Sequence, residues 1–416
     1  MKVLVLGSGV IGVTTAYFLH KDGHDVTVID RQNSAGQETS FANGGQISAS
    51  QAMSWASPEA PQLMLKWLGR NDAPLLYRMR LDPKLWVWSL RFLANCNLKN
   101  FTLNTAKNLR LALYSRTLLP EIRQNTGVEY DFLNKGIIQV CREERDFQAY
   151  TKQACVLKDL GCENKILTAK QIFEIEPAFS ASPDKIIGGI YTPDDESGDA
   201  QKFTTGLAKY LSNLGVNFRY NEIVEKINIK NNRVTSVQTN KELVNSDAII
   251  VSLASYSPTL LKPLGINIPI QPAKGYSVTV PTTGYNAAPT ISITDADHKI
   301  VFSRLGERLR IAGTVEFTGY NTDINHERVR SISNIAEHIF PAAGDYSQAE
   351  FWTGLRPLTP DGVPIIGGTK YENLYLNTGH GSLGWTMCAG SGKIISDLIN
   401  NRSSSINVSD IGLNRF

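Results

Sequence analysis

The chain opens on a continuous apolar run, Val3 to Leu6, followed by a glycine-rich turn, a helix-like stretch from Val10 to about Lys21, and a second apolar run, Val26 to Ile29, that ends on Asp30. Apolar runs without alternation belong to strands buried on both faces, so residues 2–30 predict one βαβ unit with parallel strands. Residues 31–60 are rich in Gly, Ser, Asn, Gln and Ala. They predict a long loop held by something other than its own core. A helical, tryptophan-bearing region follows from about Leu63 to Gln124. Near Tyr130 the pattern changes to short alternating strands between turn residues, such as GIIQVC at 136–141 and GGIYTP at 188–193. A helix over about Ala200–Leu214 precedes the strand VNFRY, a Val- and Ile-rich meander up to Thr239, and the strand AIIVSL at 248–253. Strand patterning resumes between Tyr276 and Phe317. A helix over about Glu327–Phe340 then leads to a last βα pair, NLYLNTG at 373–379 and a glycine-led helix to about Asn400.

Parallel-type elements stand at both ends and in the middle, with antiparallel-type strands between them. That order predicts an α/β protein of two domains woven from discontinuous segments. One, over 1–85, 195–255 and 345–416, carries a Rossmann-like, mostly parallel sheet. The other, over 86–194 and 256–344, carries a mixed, mainly antiparallel sheet. With 416 residues, 42% hydrophobic against 19% charged, the chain has ample material for such cores. The formal charge is 42 − 39 = +3, far too balanced for a protein that binds nucleic acid through its phosphates. Five scattered cysteines without a C-x-x-C indicate reduced thiols rather than a disulfide framework or a zinc site. No run of about 18 uncharged apolar residues and no cleavage-site pattern occur, so a cytoplasmic protein is expected.

Gly7, Gly9 and Gly12 spell G-x-G-x-x-G directly after a strand and at the opening of a helix. The first glycine serves a tight turn, the second the approach of a pyrophosphate, and the third close packing of helix on strand. A pyrophosphate would then lie at the helix N-terminus, where free N–H groups and the macrodipole favour negative charge. Asp30, 18 residues beyond Gly12, is placed to accept ribose hydroxyls, and its charge disfavours a 2′-phosphate. This unit leaves NAD and FAD equally open.

Three further segments bear on that choice. ETSFANGGQIS at 38–48, GLRPLTPDGVPIIG at 354–367 and NTGHGSLGWTMCAGSG at 377–392 resemble the flavin-binding signatures of the D-amino acid oxidase superfamily, most closely its bacterial dehydrogenases. The resemblance runs from the first strand to about Leu398, and glycine and sarcosine oxidases share the ends of the pattern. It implies FAD, held by Gly7, Gly9, Val10, Ile11, Gly12, Asp30, Arg31, Ser40, Asn43, Gly44, Gly45, Gln46, Val224, Gly354, Gly379, His380, Gly381, Ser382, Leu383 and Gly384. The residues make independent sense in that role. Asn43, Gly44 and Gly45 are small enough for a ring to approach the backbone. The run 379–384 opens the last helix, whose N–H groups favour the charge that gathers on a reduced flavin.

An α-amino acid carries a carboxylate, and Arg356 is the expected ligand for it, because a planar guanidinium grips a carboxylate with two parallel hydrogen bonds. Gly354 and Pro357 around it suggest a fixed loop. Tyr276 is expected to share the carboxylate or wall the pocket, with Lys274 and Tyr320 as weaker candidates of the same kind. The resemblance implies oxidative deamination of a D-alanine-like D-amino acid to a 2-oxo acid and ammonia, with electrons passed to a quinone or another respiratory acceptor. The alternatives are a flavin enzyme acting on glycine or on sarcosine- or proline-like secondary amines, and an NAD-dependent dehydrogenase with purely structural C-terminal glycines.

The remaining features are weaker. His20 and His24 are spaced H-x-x-x-H, but Gly23 breaks the helix between them, so a solvated helix end is expected and no metal. The acidic DDES at 194–197 reads as a solvated loop leading to a helix N-terminus. Residues 55–91 hold four of the six tryptophans together with Lys66, Arg70, Arg78, Arg80, Lys84 and Arg91 against Asp72 and Asp82. That composition fits a membrane interface facing anionic lipid, or aromatic packing over the substrate pocket with a wet basic face. The resemblance favours the first, a peripheral contact on the inner face of the cell membrane.

Overall fold

The computed structural model describes residues 1–416 except Leu68, Asn71, Asp72, Met79, Arg80 and Pro183. The predicted βαβ unit is strand Lys2–Leu6, helix Val10–Lys21 and strand Asp25–Ile29. These strands sit in a six-stranded sheet of order 365–368, 374–378, 248–251, 2–6, 25–29, 217–219, in which only Ile365–Gly368 runs antiparallel to its neighbour. Side chains alternate across a strand. Val3 and Val5 accordingly pack under helices Val10–Lys21, Ala200–Asn213 and Gly384–Ile399, while Leu4 and Leu6 join Ile227, Val234 and Val237 of the meander on the opposite face. Two covered faces are why the strand reads as an unbroken apolar run.

Among the described residues a second sheet of nine strands runs, in order, 350–358, 271–281, 308–317, 300–305, 292–295, 137–141, 188–192, 165–168, with Leu75–Tyr77 paired to Val315–Phe317. Helix His326–Ile339 covers one face of it, burying Val329, Ile332 and Ala336 against Val278, Phe302 and Ile311. The α/β architecture with one mostly parallel and one mixed, mainly antiparallel sheet is the expected one. Leu75–Tyr77 and Glu350–Leu358 belong to the larger sheet, although their segments were expected with the nucleotide-type domain.

Three local readings need correction. The helical region is three helices, Ala60–Trp67, Pro83–Asn95 and Leu98–Thr126, with strand 75–77 between the first two. Asp82 and Asn97 create the breaks by accepting the N–H groups of Lys84, Leu85 and Asn100 as helix caps. Arg356 lies on a strand rather than a loop, and Pro357 is tolerated because that strand is the edge of its sheet. The turn after the first helix is not wholly solvated, since His24 is buried and burial holds its imidazole below the usual range.

The acidic segment at 194–197 also departs from expectation. Asp199 caps helix 200–213, as the pattern implies, but Asp195 is fully buried. Its carboxylate accepts from Ala49 N–H (2.9 Å), Ser50 N–H (3.2 Å) and the Ser48 hydroxyl (3.2 Å), and so fastens the loop predicted to need an outside anchor. Burial raises its pKa to about 6, well above the ordinary 3.8. Between those two values the folded state binds more protons than the unfolded one, so this group's contribution to stability falls as pH rises, by at most about 3 kcal/mol. Asp195→Asn removes the titration. The decline of melting temperature between about pH 4 and 7 is therefore expected to be shallower in the variant than in the parent.

Candidate active site and cofactor cradle

A cavity of about 850 Å³ runs from the carboxyl ends of the parallel strands to the open face of the larger sheet. That end of a parallel sheet is where ligands bind, because the connecting loops and helix N-termini converge there. The cradle side is lined by Gly7, Gly9, Val10, Ile11, Asp30, Arg31, Ser40, Asn43, Gly44, Gly45, Gln46, Val224, Gly354 and the run 379–384. Gly12 lies behind them. A Cβ there would stand 1.8 Å from the Gly7 carbonyl oxygen, so it is a packing glycine under the turn.

Each part of the cradle has a local cause. Gly9, at the start of helix 10–21, has no side chain to cap it, and the Ser40 hydroxyl accepts the Val10 N–H instead, at 3.1 Å. Asp30 accepts the Ser8 N–H (2.6 Å), the Ser8 hydroxyl (2.8 Å) and the Gln32 N–H (2.9 Å), which ties the glycine turn to the end of the second strand. Arg31 stacks 3.8 Å over the Tyr256 ring and pairs with Glu38. The strip 42–46 is pinned to the larger sheet. Ser277, Arg310 and Ser303 donate to the carbonyls of Ala42 (2.7 Å), Asn43 (3.0 Å) and Gly44 (2.7 Å), and the Gln46 amide donates to Ser292 and Thr294. A Cβ at Gly44 would stand 2.9 Å from Val301 Cγ2, so glycine there lets the strip pack closely on the sheet, and Gly45 takes φ 74°, a left-handed conformation that side chains rarely adopt.

At the other end, helix 384–399 points its N-terminus at the cavity from the run 379–384. Burial holds His380 down at about 3, so the imidazole is neutral. Ser252 Oγ, Thr314 Oγ1, Asn377 Oδ1 and His380 Nε2 belong to lining residues and are buried without a hydrogen-bond partner. Unsatisfied groups of this kind are expected where a polar ligand completes the structure. A glycine turn at a helix start, a second helix N-terminus and a long groove between them fit a flavin dinucleotide.

Arg356 projects into the cavity wall. Its Nη1 donates to the Thr314 carbonyl at 3.0 Å, no described carboxylate pairs with it, and burial lowers its pKa to about 10, which leaves it charged at neutral pH. Tyr276 also lines the cavity, but its phenol is already engaged, donating to the Glu316 carboxylate, and both burial and that bond push its pKa upward. Glu316 pairs with Arg78 (2.7 Å) and lies 3.6 Å from Lys274; these hydrogen bonds and charges outweigh burial and hold its carboxyl below the ordinary range. Lys274 is spent on Glu316, Asn321 and the Asp323 carbonyl, and does not line the cavity. Tyr320 stands outside it as well, donating to the Ser255 carbonyl at 2.9 Å beside the Tyr256 ring. The sequence reading missed Thr314, Met53 and Trp352, all in the cavity wall, whereas Trp55 and Trp67 line it as the alternative of aromatic packing over the pocket expects. No motif marks the first three, because their place depends on how the two sheets meet.

A dinucleotide-type cradle facing a guanidinium that no described carboxylate neutralises has the make-up of an oxidoreductase site able to accept an anionic group. The family model of FAD-dependent oxidoreductases matches residues 2–398, and the chain belongs to that family. Its cofactor is FAD, which sets aside the nicotinamide alternative. The chain is 49% identical, over 100% of its own length and 99% of the relative's, to a D-amino acid dehydrogenase of Paramagnetospirillum magneticum. A D-amino acid dehydrogenase of Allorhizobium ampelinum is 44% identical over 100% and 99%. Among solved structures, glycine oxidase from Geobacillus kaustophilus is similar with a TM-score of 0.77 at 21% identity, over 100% of this chain and 98% of that one. Gly12→Ala puts a methyl group into the Gly7 carbonyl and forces the turn away from the helix. The purified variant is expected to lose its flavin absorption while keeping its far-ultraviolet circular dichroism.

Proposed function

We propose that the chain oxidises D-amino acids at the α-carbon to imino acids, which water hydrolyses to 2-oxo acids and ammonia. The observation that carries this reading is Arg356, a charged guanidinium in the cavity wall with a main-chain carbonyl as its one hydrogen-bond partner among the described residues. Such a group is complementary to a carboxylate. FAD held in this cradle would supply the acceptor for the α-hydrogen, taken as hydride. The protein supplies orientation: Arg356 anchors the carboxylate, Tyr276 and Trp352 wall the space beside it, and the anchored α-carbon presents one face. No side-chain base is required if the amine binds neutral. In this reading nineteen of the twenty residues expected to hold FAD would line its site, Asp30 at the ribose and the run 379–384 at the ring, while Gly12 acts from behind by letting the turn pack on its helix; the two sheets mark a cofactor unit and a substrate unit. The D-amino acid preference is supported by the names of the full-length relatives.

Reoxidation by a quinone or another respiratory acceptor is part of the proposal, with the protein held at a membrane surface. Among the described residues no helix is long and apolar enough to cross a membrane. Helix 83–95, however, is apolar on two sides. Leu85, Trp88 and Phe92 face the core, while Trp86, Leu90 and Leu93 form an outward stripe one helical turn apart. Leu81, 93% exposed, and Leu65, 73% exposed, stand near exposed Lys66, Lys84 and Arg91. Arg80 and Asp72 of that segment lie outside the described residues. Apolar side chains rimmed by cations suit insertion into an anionic interface.

The deciding experiment is the visible spectrum after anaerobic addition of D-alanine, then of L-alanine. Bleaching by the D-enantiomer alone is expected; bleaching by glycine or sarcosine instead would move the substrate to those amines. Arg356→Lys keeps the charge and loses the fork, and is expected to raise KM for D-alanine roughly tenfold or more with flavin retained. Leu81→Asp combined with Leu90→Asp is expected to abolish co-sedimentation with anionic vesicles and leave turnover with a soluble acceptor unchanged.

A further inference from the structure

Arg356 does not reach the cavity directly from its own strand. It starts on strand 350–358 opposite Ala273, and its side chain crosses strand 271–281 over Gly275 to meet Thr314 on the next strand, 308–317. The pairing of the last two strands is regular from Pro281 with Arg308 to Tyr276 with Gly313, then shifts so that Lys274 faces Glu316. Thr314 and Val315 stand against Gly275 alone, which is the two-against-one count of a β-bulge. Thr314 has φ 53°. A β-branched residue avoids that left-handed region. Its buried hydroxyl finds no partner in return. What the bend achieves is main-chain geometry, because it turns the Thr314 carbonyl onto Arg356 Nη1. Gly275 supplies the other half. A Cβ there would stand 2.2 Å from Nη1, 2.4 Å from Cζ and 2.6 Å from Nη2, so the guanidinium lies flat against the glycine backbone.

We propose that the main-chain carbonyl of Thr314, aimed by the bulge, is a positioning group for substrate binding: together with the bare backbone of Gly275 it fixes the plane of the Arg356 guanidinium, and the Thr314 side chain takes no part. This rests on Arg356 as the carboxylate ligand. Of the five N–H donors of an arginine, one is spent on the Thr314 carbonyl, and the rest remain for the two oxygens of a carboxylate. Fixing the plane fixes which way the α-carbon faces, and strain of this sort collects where geometry matters more than local stability.

The test compares D-alanine with D-alaninamide, which lacks the carboxylate. Gly275→Ala pushes the guanidinium out of plane. It is expected to raise KM for D-alanine roughly tenfold or more, with kcat, flavin content and kcat/KM for D-alaninamide within about twofold of the parent. Thr314→Gly keeps the carbonyl and removes the strain, so KM for D-alanine stays within about twofold. Thr314→Pro, locked near φ −65°, turns the carbonyl away and repeats the Gly275→Ala result. If Thr314→Pro does not fold, the contrast between Gly275→Ala and Thr314→Gly decides. Unchanged KM in flavin-bearing Gly275→Ala overturns the proposal, and so do equal losses on both substrates, which a merely structural role produces. Arg356→Lys is measured alongside. If that change leaves KM untouched, the carboxylate reading has failed; if it raises KM and Gly275→Ala does not, only the role of the bulge has.

Discussion

A guanidinium set in a protein wall with no carboxylate beside it costs desolvation free energy that the fold must offset elsewhere. At Arg356 that cost shows as a pKa pulled down to about 10. The fold retains the charge because its surroundings are rigid. The arginine springs from an edge strand, lies across a glycine on the neighbouring strand and ends on a carbonyl of the third, so three strands of one sheet hold one side chain. Lys274 and Arg78, also close by, are already taken by Glu316 and offer no competing grip. Among the described residues Arg356 is the guanidinium of the cavity wall that no carboxylate neutralises; Lys299, the other lining cation without one, bonds the Tyr150 hydroxyl at 3.2 Å.

The second constraint is that the cavity has two walls from two sheets, which must be held in register. The loop after the second strand does this. Its residues 42–46 hydrogen-bond to the larger sheet through Ser277, Ser303, Arg310, Ser292 and Thr294, and residues 48–50 are fastened from behind by buried Asp195. A segment without a core of its own thus becomes a rigid strap, with a cradle on one side and the sheet on the other. Because its carbonyls are consumed by the sheet, the strap cannot shift without breaking several buried hydrogen bonds at once.

Much of this was legible along the chain. The parallel sheet, the G-x-G-x-x-G turn and the glycine run 379–384 follow from local rules, since an unbroken apolar run, a glycine at a tight turn and a helix opening each depend on neighbours within a few residues. Other residues are decided by distant partners. Tyr276 reads as a carboxylate ligand or a pocket wall and Asp195 as a solvated acid; Glu316, 40 positions away, engages the phenol and leaves Tyr276 in the wall, and Ser48 to Ser50, roughly 150 positions away, bury Asp195. Tyr320 shares the motif-free surroundings of Tyr276, yet it faces Ser255 outside the cavity.

Alone, the amino-acid sequence determined the α/β class, the nucleotide turn and, through short motifs, the FAD family, because each rests on the conformational preference or steric size of residues close together in the chain. Tertiary structure alone decided which polar side chain remains available to a substrate. Thr314 carries no signal in its neighbours; only the register shift opposite Gly275 bends it and aims its carbonyl at Arg356. Pairing register depends on contacts between distant strands, and hydrogen-bond capacity once spent on one partner is gone from the site.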